Sequence, residues 1–243
     1  MNYNTRFNPT AVGPLHIGHL YMALVNATEA CNSGGKFIVR IDDSQKYWIH
    51  KIGRDEIDRL SCEYRKQLGM FMNIDVWEHQ STMPFYKDIV GDEHEIAKFI
   101  SEPMWMHDAT VEWIPDSGMR MYPYAPSFTF EKVVWDFYEG VNWLIRGEDI
   151  VTESSLYDFF VDIIGIPRMR QTYLPRLRAD GRRELMDTTI TKSYKTYGLQ
   201  KQIDKFGVDR VLSFLKVSCL KDVYGKFTVD NIKWNPTVVG FEA

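Results

Sequence analysis

The chain has 243 residues, 44% of them hydrophobic and 26% charged, with a net charge of −4 at neutral pH. That is enough apolar material for one large core, while the charge balance excludes a globally basic nucleic-acid binder and leaves any polyanion contact to a local patch. Cys31, Cys62 and Cys219 stand far apart without C-x-x-C spacing, which argues against a disulfide framework or a Cys-based zinc site, and neither a leader nor an apolar run of about 18 residues is present, so a soluble, cytoplasmic chain is expected.

A short extended run, Asn4-Thr5-Arg6-Phe7, passes through Gly13-Pro14 into Leu15-His16-Ile17-Gly18-His19-Leu20. Ile17, Leu20, Tyr21, Leu24, Val25, Thr28 and Cys31 recur at helical spacing, which predicts a helix over about 17–32 with one face in the core. A strand leading into a helix start aims unpaired N–H groups and the positive end of the helix dipole at one point, where phosphate binds well. His16 and His19 flank that point as donors, and Gly18, without a Cβ, lets a flat base or a phosphate approach the backbone. Taken alone, the His-x-x-His spacing reads as a helix-surface pair or half of a metal site. Next, Lys36-Phe37-Ile38-Val39-Arg40-Ile41 reads as a buried parallel strand delivering Asp42-Asp43 to the ligand-binding edge of an open sheet, with Asp43 or Ser44 also suited to capping a helix. Ile57, Leu60, Tyr64, Leu68 and Phe71 mark a second helix, and Asp75 to Ser81 a strand and loop.

A helix of about 85–101 and a β-hairpin follow, the latter from Ala109 to Ile114, a turn at Pro115-Asp116-Ser117-Gly118, and Met119 to Tyr122. His94 and His107 lack metal spacing and read as surface residues. Phe130, Val133, Val134, Phe137 and Tyr138 define a helix closed by Gly140, and Val141 to Ile145 a strand that brings Arg146 to the binding edge. A buried arginine needs an anion. Arg6 points at the same crevice, so the two guanidinium groups can converge on one carboxylate; the alternative is an ion pair of Arg146 with Glu148 or Asp149. A helix of about 151–164, a strand at Gln171 to Pro175 and a helix carrying Val208, Val211, Leu212, Leu215 and Val217 complete the chain. Arg168, Arg170, Arg176, Arg178, Arg182 and Arg183 concentrate positive charge in one stretch, a cationic patch that suits either an arm of a nucleic acid or the phosphates of a nucleotide.

Thr5-Arg6-Phe7-x-Pro9, Gly13-x-Leu15-His16-Ile17-Gly18-His19 and the run from Gly34-Gly35 to Asp42-Asp43 resemble, in order and spacing, the opening of class I glutamyl- and glutaminyl-tRNA synthetases. Asp187-Thr188-Thr189-Ile190-Thr191-Lys192-Ser193 resembles a weakened second signature of that class, with Thr189 in place of its first lysine and Lys192 keeping its second. The resemblance implies an α/β fold, a Rossmann-like doubly wound parallel sheet, with a catalytic domain over 1–195, a shortened acceptor-binding insertion at about 82–125, a helical cap over 196–243 and no anticodon-binding domain. It implies a ligase of protein biosynthesis that uses ATP with Mg²⁺ to activate an amino acid, glutamate first, for transfer to tRNA. His16, His19 and Lys192 would then act on the phosphates, with Gly13, Gly18, Thr191 and Ser193 completing the ATP site. Asp42 would receive the α-amino group, Arg6 and Arg146 would line the glutamate pocket, and Phe128 stands where relatives carry a tyrosine. The short form resembles the glutamyl-queuosine tRNA(Asp) synthetases, without the Cys-based zinc site that many of them have. Thr189, Phe128 and the short insertion also fit a decayed synthetase serving as a binding or regulatory protein. A different nucleotidylyltransferase would share the HxGH element, but the match of Arg6, Asp42 and Arg146 argues against it.

Overall fold

The computed structural model describes residues 2–44, 46–82, 111–114, 118–121, 128–147, 150–151, 154–174 and 198–218. Strand β1 (Thr5–Phe7) leads through a loop into helix α1 (Ile17–Ser33), and β2 (Phe37–Ile41) is followed by α2 (Lys46–Ile52), α3 (Arg54–Gly69) and β3 (Val76–His79). The hairpin strands β4 (Val111–Ile114) and β5 (Gly118–Met121) pair antiparallel with Ile114 opposite Gly118, so the expected hairpin is present and Gly118, expected in its turn, begins the second strand. Then come α4 (Phe128–Tyr138), β6 (Trp143–Gly147), α5 (Ser154–Ile164), β7 (Arg170–Leu174), α6 (Leu199–Phe206) and α7 (Val208–Ser218).

The five parallel strands form one sheet in the order β3-β2-β1-β6-β7. Residues of β1, β2 and β6 are buried throughout, as strands covered on both faces must be. Successive side chains of a strand point to opposite faces, and β2 shows what this does to the core. Phe37, Val39 and Ile41 join Leu20 and Leu24 of α1, Leu60 and Leu68 of α3, and Val211 and Leu215 of α7. Ile38 points the other way, into a second core with Val133 and Val134 of α4 and Tyr157 and Phe160 of α5. Helices thus cover both faces, giving the doubly wound α/β arrangement.

Chain order reverses at the centre, where β1 pairs with β2 on one side and β6 on the other. Loops leaving the carboxyl ends of β1 and β6 therefore diverge and open a crevice, the place where open α/β sheets bind ligands. Helix α6 is tied to that edge: the Leu199 amide donates to the Leu15 carbonyl at 2.7 Å, and Gly198 bridges His16. Helix α2 was not expected from sequence, while α6 falls within the helical cap expected over 196–243. Residues 83–110, with the expected helix of about 85–101, His94 and His107, and residues 175–197, with Thr191, Lys192, Ser193 and four arginines of the patch, lie outside the described residues.

Candidate functional site

Helix α1 begins at His16, whose extended backbone (φ −127°, ψ 173°) places it at the N-cap. Its Nδ1 accepts the Gly18 N–H at 3.1 Å, and the Nδ1 of His19 accepts the His16 N–H at 3.2 Å. Histidine here does the work usually given to a serine or aspartate cap and a glutamate three residues on. The two rings stack at 3.7 Å between centroids. Because each Nδ1 is used as an acceptor, the proton of each neutral ring sits on Nε2. Burial lowers His16 to about 4, and burial together with the neighbouring His16 holds His19 well below the usual imidazole range, so both are neutral donors at physiological pH. Gly18 earns its place differently from the expectation. A Cβ there would lie 3.0 Å from His16 Cε1, so the room it leaves is filled by the His16 ring that caps the helix. Gly13 lies in the preceding loop, which is anchored where the Tyr64 hydroxyl donates to its carbonyl.

The two carboxylates after β2 face different tasks. Asp42 is buried, pairs its backbone with the loop after β1 through Pro9, and accepts from Thr10 Oγ1 at 2.8 Å. Asp43 accepts from the Ser81 amide and hydroxyl, both at 2.7 Å, and from Arg54 at 3.2 Å, with His79 Nδ1 at 3.0 Å. Burial pushes the Asp43 carboxyl up, but the His79 and Ser81 hydrogen bonds outweigh it and hold the group below its ordinary range. Asp43 thus joins the ends of β2 and β3. His79 Nε2 lies 3.3 Å from Ser61 Oγ, which completes a serine–imidazole–carboxylate row. Ser61 is 2% exposed inside α3, so the row is a cross-link without access for a substrate.

Arg6 and Arg146 sit at or near the carboxyl ends of the two central strands, both buried, and differ sharply in their partners. Arg6 forms a two-pronged pair with Asp136 of α4, Nε to Oδ1 at 2.7 Å and Nη2 to Oδ2 at 3.0 Å. Asp136, fully buried, also accepts from Arg40 Nη2 at 2.8 Å and from the Tyr157 hydroxyl at 2.8 Å. Burial opposes its charge, yet Arg6 and Arg40 keep its carboxyl far below the usual range. Arg146 donates to Gln171 and, at 2.8 Å, to the Tyr173 hydroxyl, with its guanidinium over the Tyr157 ring at 5.1 Å and the Tyr173 ring at 5.3 Å. Among the described residues it meets no carboxylate, and its buried Nε has no hydrogen-bond partner. Glu148 and Asp149 lie outside the described residues, as do Thr191, Lys192 and Ser193; Phe128 opens α4. The expectation that Arg6 and Arg146 share one anion therefore meets a different geometry: Arg6 already has a counter-ion within the fold.

Two arginines assigned to the cationic patch, Arg168 and Arg170, are among the described residues. Arg168 is held by Asp162, and Arg170 stacks on Trp143 at 3.8 Å from the ring centroid, at the amino end of β7 and so across the sheet from Arg146. The sequence offered no sign of the Asp136 cluster, since its members come from β1, β2, α4 and α5. Among the described residues no group of three His, Cys, Asp or Glu is placed to hold a metal, Cys31 and Cys62 are unpaired and exposed, and no helix is long and apolar enough to cross a membrane.

Residues 2–73 match the family model described as tRNA synthetases class I (E and Q), catalytic domain. A glutamyl-Q tRNA(Asp) synthetase of Methylococcus capsulatus is 44% identical over 228 residues, covering 74% of this chain and 74% of the relative. A glutamate–tRNA ligase of Neorickettsia sennetsu is 26% identical over 223 residues, covering 82% of this chain and 53% of the ligase, so the chain spans about half the length of such ligases. Among solved structures, the glutamate–tRNA synthetase of Elizabethkingia anophelis superposes with a TM-score of 0.56 at 16% identity, over 85% of this chain and 54% of that one. The tyrosyl-tRNA synthetase of Archaeoglobus fulgidus does so with a TM-score of 0.59 at 16% identity, over 78% and 59%. At that identity these two structures speak for the fold.

Proposed function

The chain belongs to the class I glutamyl- and glutaminyl-tRNA synthetase family, and from that membership we propose that it activates glutamate with ATP to an aminoacyl-adenylate. In this reaction an oxygen of the amino acid's α-carboxylate bonds to the α-phosphorus of ATP while the bond to the bridging oxygen breaks and pyrophosphate departs. No protein nucleophile is needed; the work is positioning and stabilisation of charge on phosphoryl oxygens. His16 and His19 suit this as neutral Nε2 donors held by the helix start, with Gly13 and Gly18 beside them and Lys192, Thr191 and Ser193 as the other assigned ATP contacts. Mg²⁺ enters with the triphosphate, whose oxygens and water supply its ligands. Asp42 is assigned the α-ammonium group.

Arg146 carries the proposal. Among the described residues no carboxylate meets this buried guanidinium, which lies over two tyrosine rings near the carboxyl end of a central strand, and a charge so placed suits a ligand that neutralises it. An acidic amino acid supplies the matching group. Transfer to tRNA is the proposed second step, with Arg176, Arg178, Arg182 and Arg183 as candidate phosphate contacts.

Pyrophosphate–ATP exchange, run over the twenty amino acids with and without bulk tRNA, tests the reading. Glutamate is expected to drive exchange without tRNA, and Arg146→Ala to weaken it by about 2–4 kcal/mol with little change in the KM for ATP. Exchange with no amino acid at all would refute activation; equal losses for glutamate and ATP would make Arg146 structural.

A further inference from the structure

We infer that Asp136 is a positioning residue for the amino-acid pocket, holding Arg6 directly and Arg146 through the Tyr157 ring. This rests on the assignment of Arg146 to an anionic amino acid. Both Asp136 oxygens are used: Oδ1 by Arg6 Nε and Arg40 Nη2, Oδ2 by Arg6 Nη2 and the Tyr157 hydroxyl. A fully buried carboxylate with four donors has one orientation available. Because the guanidinium is a planar fork, fixing its Nε–Nη2 edge also fixes where the opposite edge points, and Nη1 of Arg6 makes no hydrogen bond among the described residues. Tyr157 transmits the same constraint. Its hydroxyl is tied to Asp136 and its ring lies beneath the Arg146 guanidinium, so the plane on which Arg146 rests is set by the carboxylate that sets Arg6.

A purely structural ion cluster would not need this arrangement, since well-packed apolar residues of similar volume often stabilise a core as well as buried ion pairs do. The cluster also makes a prediction opposite to that of simple charge summation. Removing the Asp136 charge adds one net positive charge beside the pocket, which by Coulomb's law alone tightens an anionic ligand. If Asp136 acts by orientation, the same change weakens it.

The test compares the full chain with Asp136→Asn, which keeps the shape and removes the charge, and Tyr157→Phe, which keeps the ring and removes the hydroxyl. Glutamate and ATP dissociation constants are measured by calorimetry, and the two KM values by pyrophosphate exchange. Asp136→Asn is expected to weaken glutamate by about 30-fold or more and Tyr157→Phe by about 5-fold, with ATP affinity within about 3-fold of the parent. Unchanged or tightened glutamate binding in Asp136→Asn overturns the inference, as does parallel loss for both ligands. Should Asp136→Asn fail to fold, Tyr157→Phe decides: unchanged glutamate affinity overturns the inference, and a selective loss supports it. Arg146→Ala separates the two proposals. If that variant still binds glutamate normally, the amino-acid assignment fails; if it loses glutamate while Asp136→Asn and Tyr157→Phe do not, only the positioning role fails.

Discussion

At the scale of single residues, the chemistry of the helix start depends on which nitrogen of each imidazole carries the proton. Nδ1 of His16 and of His19 accepts a backbone N–H, so Nε2 is the donor in both. The folded value for His16, about 4, lies below the ordinary 6.5, so its stabilising contribution is complete above about pH 6.5 and is lost as the pH falls through 4. Imidazole ¹⁵N spectra should accordingly show Nε2-protonated, neutral rings for both histidines from about pH 8 down to about pH 5; titration of either ring near 6.5 would contradict the capping geometry. The pair was legible in the sequence because spacing and a helix pattern are local signals. The reason for Gly18 was not, since only the folded ring of His16 reveals what fills the space above it. The partner of Arg6 was hidden for a related reason: Asp136 lies 130 residues away, and no local pattern links them.

At the scale of elements, the turn after α1 brings the chain back beneath β1 with almost no clearance. Gly34 takes the left-handed conformation (φ 72°) that ends the helix, and a Cβ on Gly35 would fall 2.0 Å from the Tyr3 carbonyl oxygen. Thermal unfolding should therefore show Gly35→Ala destabilised by about 1–3 kcal/mol, because backbone on both sides would have to move. Gly69→Ala, where nothing lies within 4 Å, should be neutral or mildly stabilising. Strands β1, β2 and β6 and helices α1 and α3 were readable because their apolar runs or periodicities extend through most of the element. Helix α2, 7 residues, gave no such signal, and α6, 8 residues, was covered only by the broad helical cap expected over 196–243. Helices that short do not persist on propensity alone and form here on tertiary contacts, as the bond from Leu199 to Leu15 illustrates.

At the scale of the molecule, buried charge ties stability to pH. Burial, reinforced by the nearby Asp136, raises Glu139 to about 7 even though Arg40 donates to it at 3.0 Å. Its neighbours in this respect are Arg40, Asp136, Arg6 and Glu78. A folded value above the unfolded one means that the contribution is fully present below the ordinary 4.5 and is lost as pH rises through about 7. Denaturant unfolding should show Glu139→Gln flattening the pH dependence between about pH 5 and pH 8, by about 3 kcal/mol relative to the parent; parallel curves would place the titration elsewhere. The central seam of the sheet has a further consequence, for the newborn chain. As it leaves the ribosome, β1, α1 and β2 are complete long before Asp136 is made, and until then Arg6 and Arg40 have no carboxylate of α4 to meet. Two guanidinium groups on adjacent strands favour water over burial until that carboxylate arrives, and inward-pointing charge of this kind discourages incomplete copies from pairing strand to strand. The arginines that later hold Asp136 thus weigh against aggregation of the unfinished chain.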